Sequence, residues 1–118
     1  MSYDISFKVK VEGTDQYIIV YDPDANITWN LGDMIRASTG LEWKNEESNG
    51  LCSEVMKKIE YGYTQLSYAP NKFKRYESDN GWGTIEGCAA FFHRILVAWR
   101  DFKRASPELA KVATFWIE

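Results

Sequence analysis

The richest stretch of chemically useful side chains in this 118-residue chain is "NKFKRYESDNGWGT", residues 71 to 84. Lys72, Lys74 and Arg75 interleave there with Phe73 and Tyr76, and Trp82 stands between two glycines after Asn80. Cations give an anion an electrostatic anchor, and flat rings offer faces on which a nucleobase can stack. Thr84 opens a helical pattern. A helix start adds backbone N–H groups and the positive end of the macrodipole, which suit phosphate. The same residues also fit plain structure, with Thr84 as a cap, Trp82 as a staple over the first turn and the lysines as a solvated face. In "NITWN", Asn26, Thr28 and Asn30 alternate. An extended backbone would aim all three at one polar ligand edge. Alternatively, Asn26 and Thr28 satisfy turn groups and Asn30 caps the next helix. Trp43, the one tryptophan of the polar loop at 41 to 50, is a further ring for stacking.

Catalytic and metal-binding signatures do not emerge. His93 is the sole histidine and no Cys-x-x-Cys occurs, so no metal set is expected. His93 lies off its helix's apolar stripe and reads as a partly exposed surface residue. Cys52 and Cys88 lie on apolar stripes, where a thiol packs as a small apolar group; buried reduced thiols are expected, not a disulfide. Neither a Gly-x-Ser-x-Gly elbow nor a Gly-x-x-x-x-Gly-Lys-Ser/Thr phosphate loop is present. The expectation is a binding protein, not an enzyme, with no catalytic residues and no cofactor.

Charge and hydropathy narrow the partners. Fourteen basic against 17 acidic residues give a net charge of −3, which disfavours duplex nucleic acid. No apolar run approaches the ~18 residues of a membrane span, and "MSYDISFKVK" lacks a secretory apolar core. A cytosolic location is therefore expected. Five Trp, seven Tyr and six Phe exceed what so small a core needs, which puts some rings at a surface or pocket.

The elements that must position these residues follow from periodicity. Ile5, Phe7, Val9 and Val11 alternate with polar residues, predicting a strand; "EGTD" is a turn and "QYIIVY" the returning strand of a hairpin. A short helix follows Asn30 and ends at Gly40. Cys52, Val55, Met56, Ile59, Tyr63 and Leu66 mark a second helix, over about 51 to 66. Ile85, Cys88, Phe92, Ile95, Trp99 and Phe102 mark the longest, over about 84 to 104, and "KVATFWIE" reads as a last strand. The order ββαααβ predicts one α+β domain over residues 1–118, with a small antiparallel sheet packed on about three helices.

"NITWNLGDM" paired with "NGWGT" before the last helix resembles a family of small, largely uncharacterised bacteriophage and prophage proteins. The resemblance covers roughly residues 17 to 117 and rests most on Asn26, Thr28, Asn30, Met34 and Asn80 to Gly83. The chain departs from the family pattern at Glu77, Ser78 and Asp79, where relatives often carry Asn-Pro-Pro, and in a first strand without cysteine. By analogy, the resemblance implies a counter-defence sponge that sequesters a nucleotide-derived immune signal, such as a cyclic oligonucleotide or an ADP-ribose derivative. Trp82, with Trp43 or Tyr76, would stack on the base. Lys74 and Arg75 would meet phosphate, and Asn26, Thr28 and Asn80 would read polar edges. A homo-oligomer, most simply a two-fold dimer, would favour slow release. Two rivals stand beside it: inhibition of a host protein through an aromatic surface, and a small hydrolase of the nucleotide signal.

Overall fold

The computed structural model describes residues 2–118 and shows an α+β fold. Five antiparallel strands form the sheet: β1 (Ser2–Lys10), β2 (Tyr17–Tyr21), β3 (Asn26–Thr28), β4 (Ser48–Leu51) and β5 (Thr114–Ile117). The main path runs β2-β1-β5-β4. The first residues of β1 pair with β3, Asp4 lying opposite Asn26. β5 takes one edge of β1, so β2 and β3 share the other, joined by the Asp22-Pro23-Asp24 corner. Alternation along β1 turns Ile5 and Phe7 inward, in register with Ile117 and Phe115 of β5.

The helices are α1 (Gly32–Thr39), α2 (Cys52–Tyr68), α3 (Ile85–Ala105) and the short α4 (Pro107–Ala110). A 3-10 turn, Trp29–Leu31, leads into α1, and a longer 3-10 segment, Pro70–Tyr76, follows α2. The stripes expected from the spacing are buried, Cys52, Val55, Met56, Ile59 and Leu66 on α2 and Ile85, Cys88, Phe92, Ile95, Trp99 and Phe102 on α3, except that Tyr63 of the α2 stripe is only half-buried. Gly40, at φ 77°, ends α1 in the left-handed conformation. Gly62 of α2 lets α1 and α3 approach closely: an added Cβ would lie 2.6 Å from Thr39 Cγ2 and 3.0 Å from Phe92 Cε2.

Two strands and the short α4 go beyond the predicted order. Residues 26–28, expected as a connecting segment, are indeed extended and become a strand because β1's first residues need backbone partners. Residues 48–51, the end of the expected polar loop and the first residue expected of the second helix, pair with β5. "SNGL" has no strand propensity of its own, and tertiary pairing overrides it. Helix limits differ from expectation by one or two residues, ordinary for fraying ends. Among the described residues, no helix is long and apolar enough to cross a membrane.

One sheet face meets the helices: Phe7 lies edge-on to Trp99 at 6.0 Å and 5.7 Å from Phe102, both of α3. The opposite face carries Ser6, Lys8, Tyr17 and Trp116. Lys8 Nζ sits 4.3 Å from the Trp116 ring centre and also pairs with Glu118, and Tyr17 packs 5.0 Å from Trp116.

Candidate functional site

The two motifs come together in space. Gly83 is buried, and a Cβ there would lie 3.0 Å from Leu31 Cδ2, 3.1 Å from Leu31 Cγ and 3.6 Å from Asn30 Cβ. The loop before α3 thus rests directly on the 3-10 turn that follows "NIT", and only a residue without a side chain allows that approach. The loop is closed by its own bonds. The Ser78 N–H donates to the Gly83 carbonyl at 3.0 Å, and the Gly81 N–H to the Ser78 carbonyl at 3.2 Å. Asn80 Oδ1 accepts from the Trp82 N–H at 3.0 Å and from the Ser78 hydroxyl. Gly81 turns the chain at φ 77°. The result holds Trp82 outward at 72% exposure, so Asn80 is a loop brace. On the neighbouring turn, Trp29 is 43% exposed and tilts against Tyr3 at 5.9 Å. Sequence reasoning did not single out Trp29; its place beside the alternating Asn26 and Thr28 was the signal.

The N-terminus of α3 differs from the phosphate slot that was expected. Thr84 is its N-cap, and Thr84 Oγ1 accepts the Gly87 N–H at 3.0 Å. Glu77 reaches forward eight residues, so that its Oε2 accepts the Ile85 N–H at 2.9 Å. An internal carboxylate therefore occupies the position where helix dipole and N–H groups would favour a bound anion.

The cations are partly committed as well. Lys74 Nζ lies 3.8 Å from Glu77 Oε1, although the lysine side chain stays 61% exposed. Arg75 stacks over the Tyr76 ring at 4.9 Å and donates from Nη2 to the Tyr76 hydroxyl at 2.9 Å. Tyr76 is half-buried, resting on the core near Phe73 at 6.4 Å. Lys72 is exposed and forms no ion pair among the described residues.

Two expected site residues lie elsewhere. Trp43 belongs to the core at 2% exposure, edge-on to Tyr3 at 5.6 Å and to Phe91 at 6.0 Å. Its backbone, at φ 60°, turns the ring inward from an otherwise solvated loop, so no face is free for stacking. Asn26 lines a hollow with Asp4, Asp22, Asp24 and Glu118, a set remote in sequence from the cationic segment. Thr28 is half-buried at the end of β3, and Asn30 is exposed within the 3-10 turn, so extended alternation covers only the first two of the trio. The clearest concavities among the described residues are lined by neither Trp82 nor the 74–76 segment.

The remaining reactive groups are quiet. Burial pushes the thiols of Cys52 and Cys88 up to about 12, which leaves them neutral and unreactive near pH 7. His93 is exposed on α3, beside Tyr63 at 5.9 Å. No family model, no curated protein and no solved structure matches the chain.

Proposed function

We propose that this protein acts by binding, and that Trp82, with Trp29 and the neighbouring Lys72, Lys74 and Arg75, is its recognition surface for a protein partner. The carrying observation is Trp82: a large ring 72% exposed on a loop closed by its own hydrogen bonds. A tryptophan ordered before binding loses little entropy on contact and makes a strong anchor. A ring that served only as a helix staple would be covered. The surroundings favour a macromolecule over an enclosed small molecule. Ligand pockets bury most of their ligand's surface, whereas Trp82 protrudes and Glu77 fills the nearby helix end. The resemblance to small phage proteins supports a host defence protein as the partner, inhibited by occlusion without turnover.

A second reading keeps the sponge. Arg75 stacked on Tyr76, with Lys74 beside it, is an arrangement that meets a nucleotide by stacking and charge. A base would then lie on Trp82, and phosphate would draw Lys74 away from Glu77. A second copy of the chain would cover the otherwise open ligand, so this reading carries the homo-oligomer with it.

One experiment separates the readings. Wild-type protein and the Trp82→Ala variant are used as bait in lysate of the bacterial host, and the wild-type protein is also heat-denatured to release small molecules. The proposal expects a host protein retained by the wild type and weakened about 30-fold or more by Trp82→Ala, the loss of a ~2 kcal/mol anchor. Recovery of an intact nucleotide favours the sponge, and a chemically altered one favours a hydrolase. Equal retention by both baits sinks the role given to Trp82.

A further inference from the structure

We infer that Asn80, followed by Gly81, is a site of spontaneous self-modification that unlocks the Trp82 loop: its side-chain amide is lost through a succinimide closed on the Gly81 nitrogen. An asparagine before glycine is where this chemistry meets least obstruction, because glycine puts no side chain over the attacking nitrogen. The chain has two such steps, Asn49–Gly50 and Asn80–Gly81, and the fold treats them oppositely.

Asn49 is pinned backwards. Its Oδ1 accepts the Lys44 N–H at 2.8 Å, and its Nδ2 donates to the Lys44 carbonyl at 2.9 Å and the Glu47 carbonyl at 3.3 Å. Those bonds turn the amide toward residues before it and tie down the nitrogen that would leave, in a segment paired with β5. Asn80 is folded forwards. Its Oδ1 accepts the Trp82 N–H at 3.0 Å, and the ring closed by that bond contains both reacting atoms, Asn80 Cγ and the Gly81 nitrogen. A nucleophile and an electrophile held in one small ring react with the advantage of an oriented, intramolecular pair. The Ser78 hydroxyl is a second donor to Oδ1. The oxygen that gains negative charge as the nitrogen attacks therefore already has two hydrogen bonds. Nδ2 has no partner among the described residues, and Asn80 and Gly81 are exposed, so ammonia can leave and water can enter. The Gly81 N–H is held by the Ser78 carbonyl at 3.2 Å, a single bond within a surface turn that opens locally.

The reaction balances with water alone. Hydroxide takes the Gly81 amide proton, the nitrogen bonds to Asn80 Cγ, and the Cγ–Nδ2 bond breaks as ammonia leaves with a proton from water, which restores the hydroxide. Water then opens the succinimide. Attack at Cγ breaks its bond to the Gly81 nitrogen and gives aspartate, which keeps an acceptor for Ser78 and Trp82. Attack at the Asn80 backbone carbonyl breaks the original peptide bond and gives isoaspartate. That product carries an extra methylene in the backbone, so the bonds that close the loop between Ser78 and Gly83 no longer fit together. Loss of binding with age is the consequence for a Trp82 anchor, and this consequence alone rests on the reading above.

The test needs no partner for Trp82, so its outcome is separate from that reading. The full native chain is incubated at mildly alkaline pH beside the same chain unfolded in urea, and both are sampled by peptide mapping with mass spectrometry. Native Asn80 should convert at least about tenfold faster than native Asn49 and within about threefold of its own rate in urea, whereas Asn49 falls well below its rate in urea. Asn80→Gln, whose longer side chain needs a larger ring, should lose the reaction at this step. In aged protein enriched in isoaspartate, the Trp82 and Gly83 amide signals should move in two-dimensional NMR while those of Phe92 and Ile95 stay in place, and Asn80→Asp should remain close to wild type. Equal conversion of the two asparagines, or folding that slows Asn80 as much as Asn49, would overturn the site. Unmoved Trp82 and Gly83 signals in the isoaspartate form would overturn the unlocking.

Discussion

Glu77 sits before the loop, yet its carboxylate belongs to the helix beyond it, and replacing it tests how the site is built. Oε2 accepts the Ile85 N–H at 2.9 Å, and Oε1 lies 3.8 Å from Lys74 Nζ. Glu77→Ala removes a capping bond, which typically contributes ~1 kcal/mol. It also removes a negative charge at the helix N-terminus, about 0.3–1 kcal/mol. The Lys74 pair adds at most a few tenths, about 0.3 kcal/mol, because the lysine is 61% exposed and screened. The total is about 1.6–2.3 kcal/mol, a fall in melting temperature of roughly 5 to 10 °C for a chain this size. Glu77→Gln keeps an acceptor oxygen and loses the charge, so about half that effect is expected. Urea denaturation followed by far-UV circular dichroism measures both. Inorganic phosphate at matched ionic strength should then stabilise the alanine variant more than the wild type, because the vacated N-terminus accepts an anion. Two results would refute the reasoning. An alanine variant within about 0.5 kcal/mol of wild type would show that the carboxylate does not cap α3. Equal stabilisation of both proteins by phosphate would mean that the helix end was never occupied, and the phosphate-binding reading would return.

Trp43→Ala should cost about 3–5 kcal/mol and Trp82→Ala less than about 0.5 kcal/mol in the same urea titration, because one ring is core and the other is solvated. Gly62→Ala gains up to about 1 kcal/mol in helix propensity but meets Thr39 Cγ2, whose hydroxyl is fixed by Ile35 and Leu41; the net expectation is destabilisation by ~1–2 kcal/mol. Thr39→Ser removes that methyl and keeps the hydroxyl, so the double variant should recover most of the loss, measured as a double-mutant cycle. The thiols predict an alkaline limit. Their folded pKa values, about 12, lie above the unfolded value near 9, so the unfolded chain binds fewer protons between those pH values. Stability present below pH ~9 is then lost as pH rises, by at most ~1.4 kcal/mol per pH unit for each thiol. Cys52→Ala and Cys88→Ala should each flatten the fall in stability above pH ~9 relative to wild type.

The parts of this fold governed by local periodicity are legible in the sequence alone. The β1–β2 hairpin, the stripes of α2 and α3 and the last strand are each specified by side chains within a few residues of one another. β3 and β4 are not, because their only warrant is a distant partner: β1 for one and β5 for the other. The candidate site divides in the same way. Thr84 as a cap and Gly81 as a turn are local facts and readable from the residues. Trp43 and Trp82 both lie in polar, glycine-containing surroundings, yet one ring is buried and the other exposed. The difference is made by a positive φ at Trp43 and by Tyr3, Phe91 and Phe115 converging around it from three separate elements. Glu77 capping a helix across eight residues has no signature in spacing, and the hollow beside Asn26 joins residues from both ends of the chain.

The gathering of carboxylates at that hollow changes what the net charge of −3 means for recognition. A net charge is an average, and folding distributes it. Lys72, Lys74 and Arg75 gather on one 3-10 segment beside Trp82's loop, whereas Asp4, Asp22, Asp24 and Glu118 gather around one hollow. With a Debye length of about 8 Å at physiological ionic strength, an approaching partner senses the local group and not the sum. An acidic surface can therefore be drawn to the Trp82 region of an acidic protein. Duplex nucleic acid, which the net charge disfavours, meets a separate local obstacle as well. Lys74 already faces Glu77 and Arg75 already faces Tyr76, so too few uncommitted cations remain on that segment to neutralise a run of phosphates. On the proposed reading, the charge that the segment retains orients a contact whose strength comes from the tryptophan.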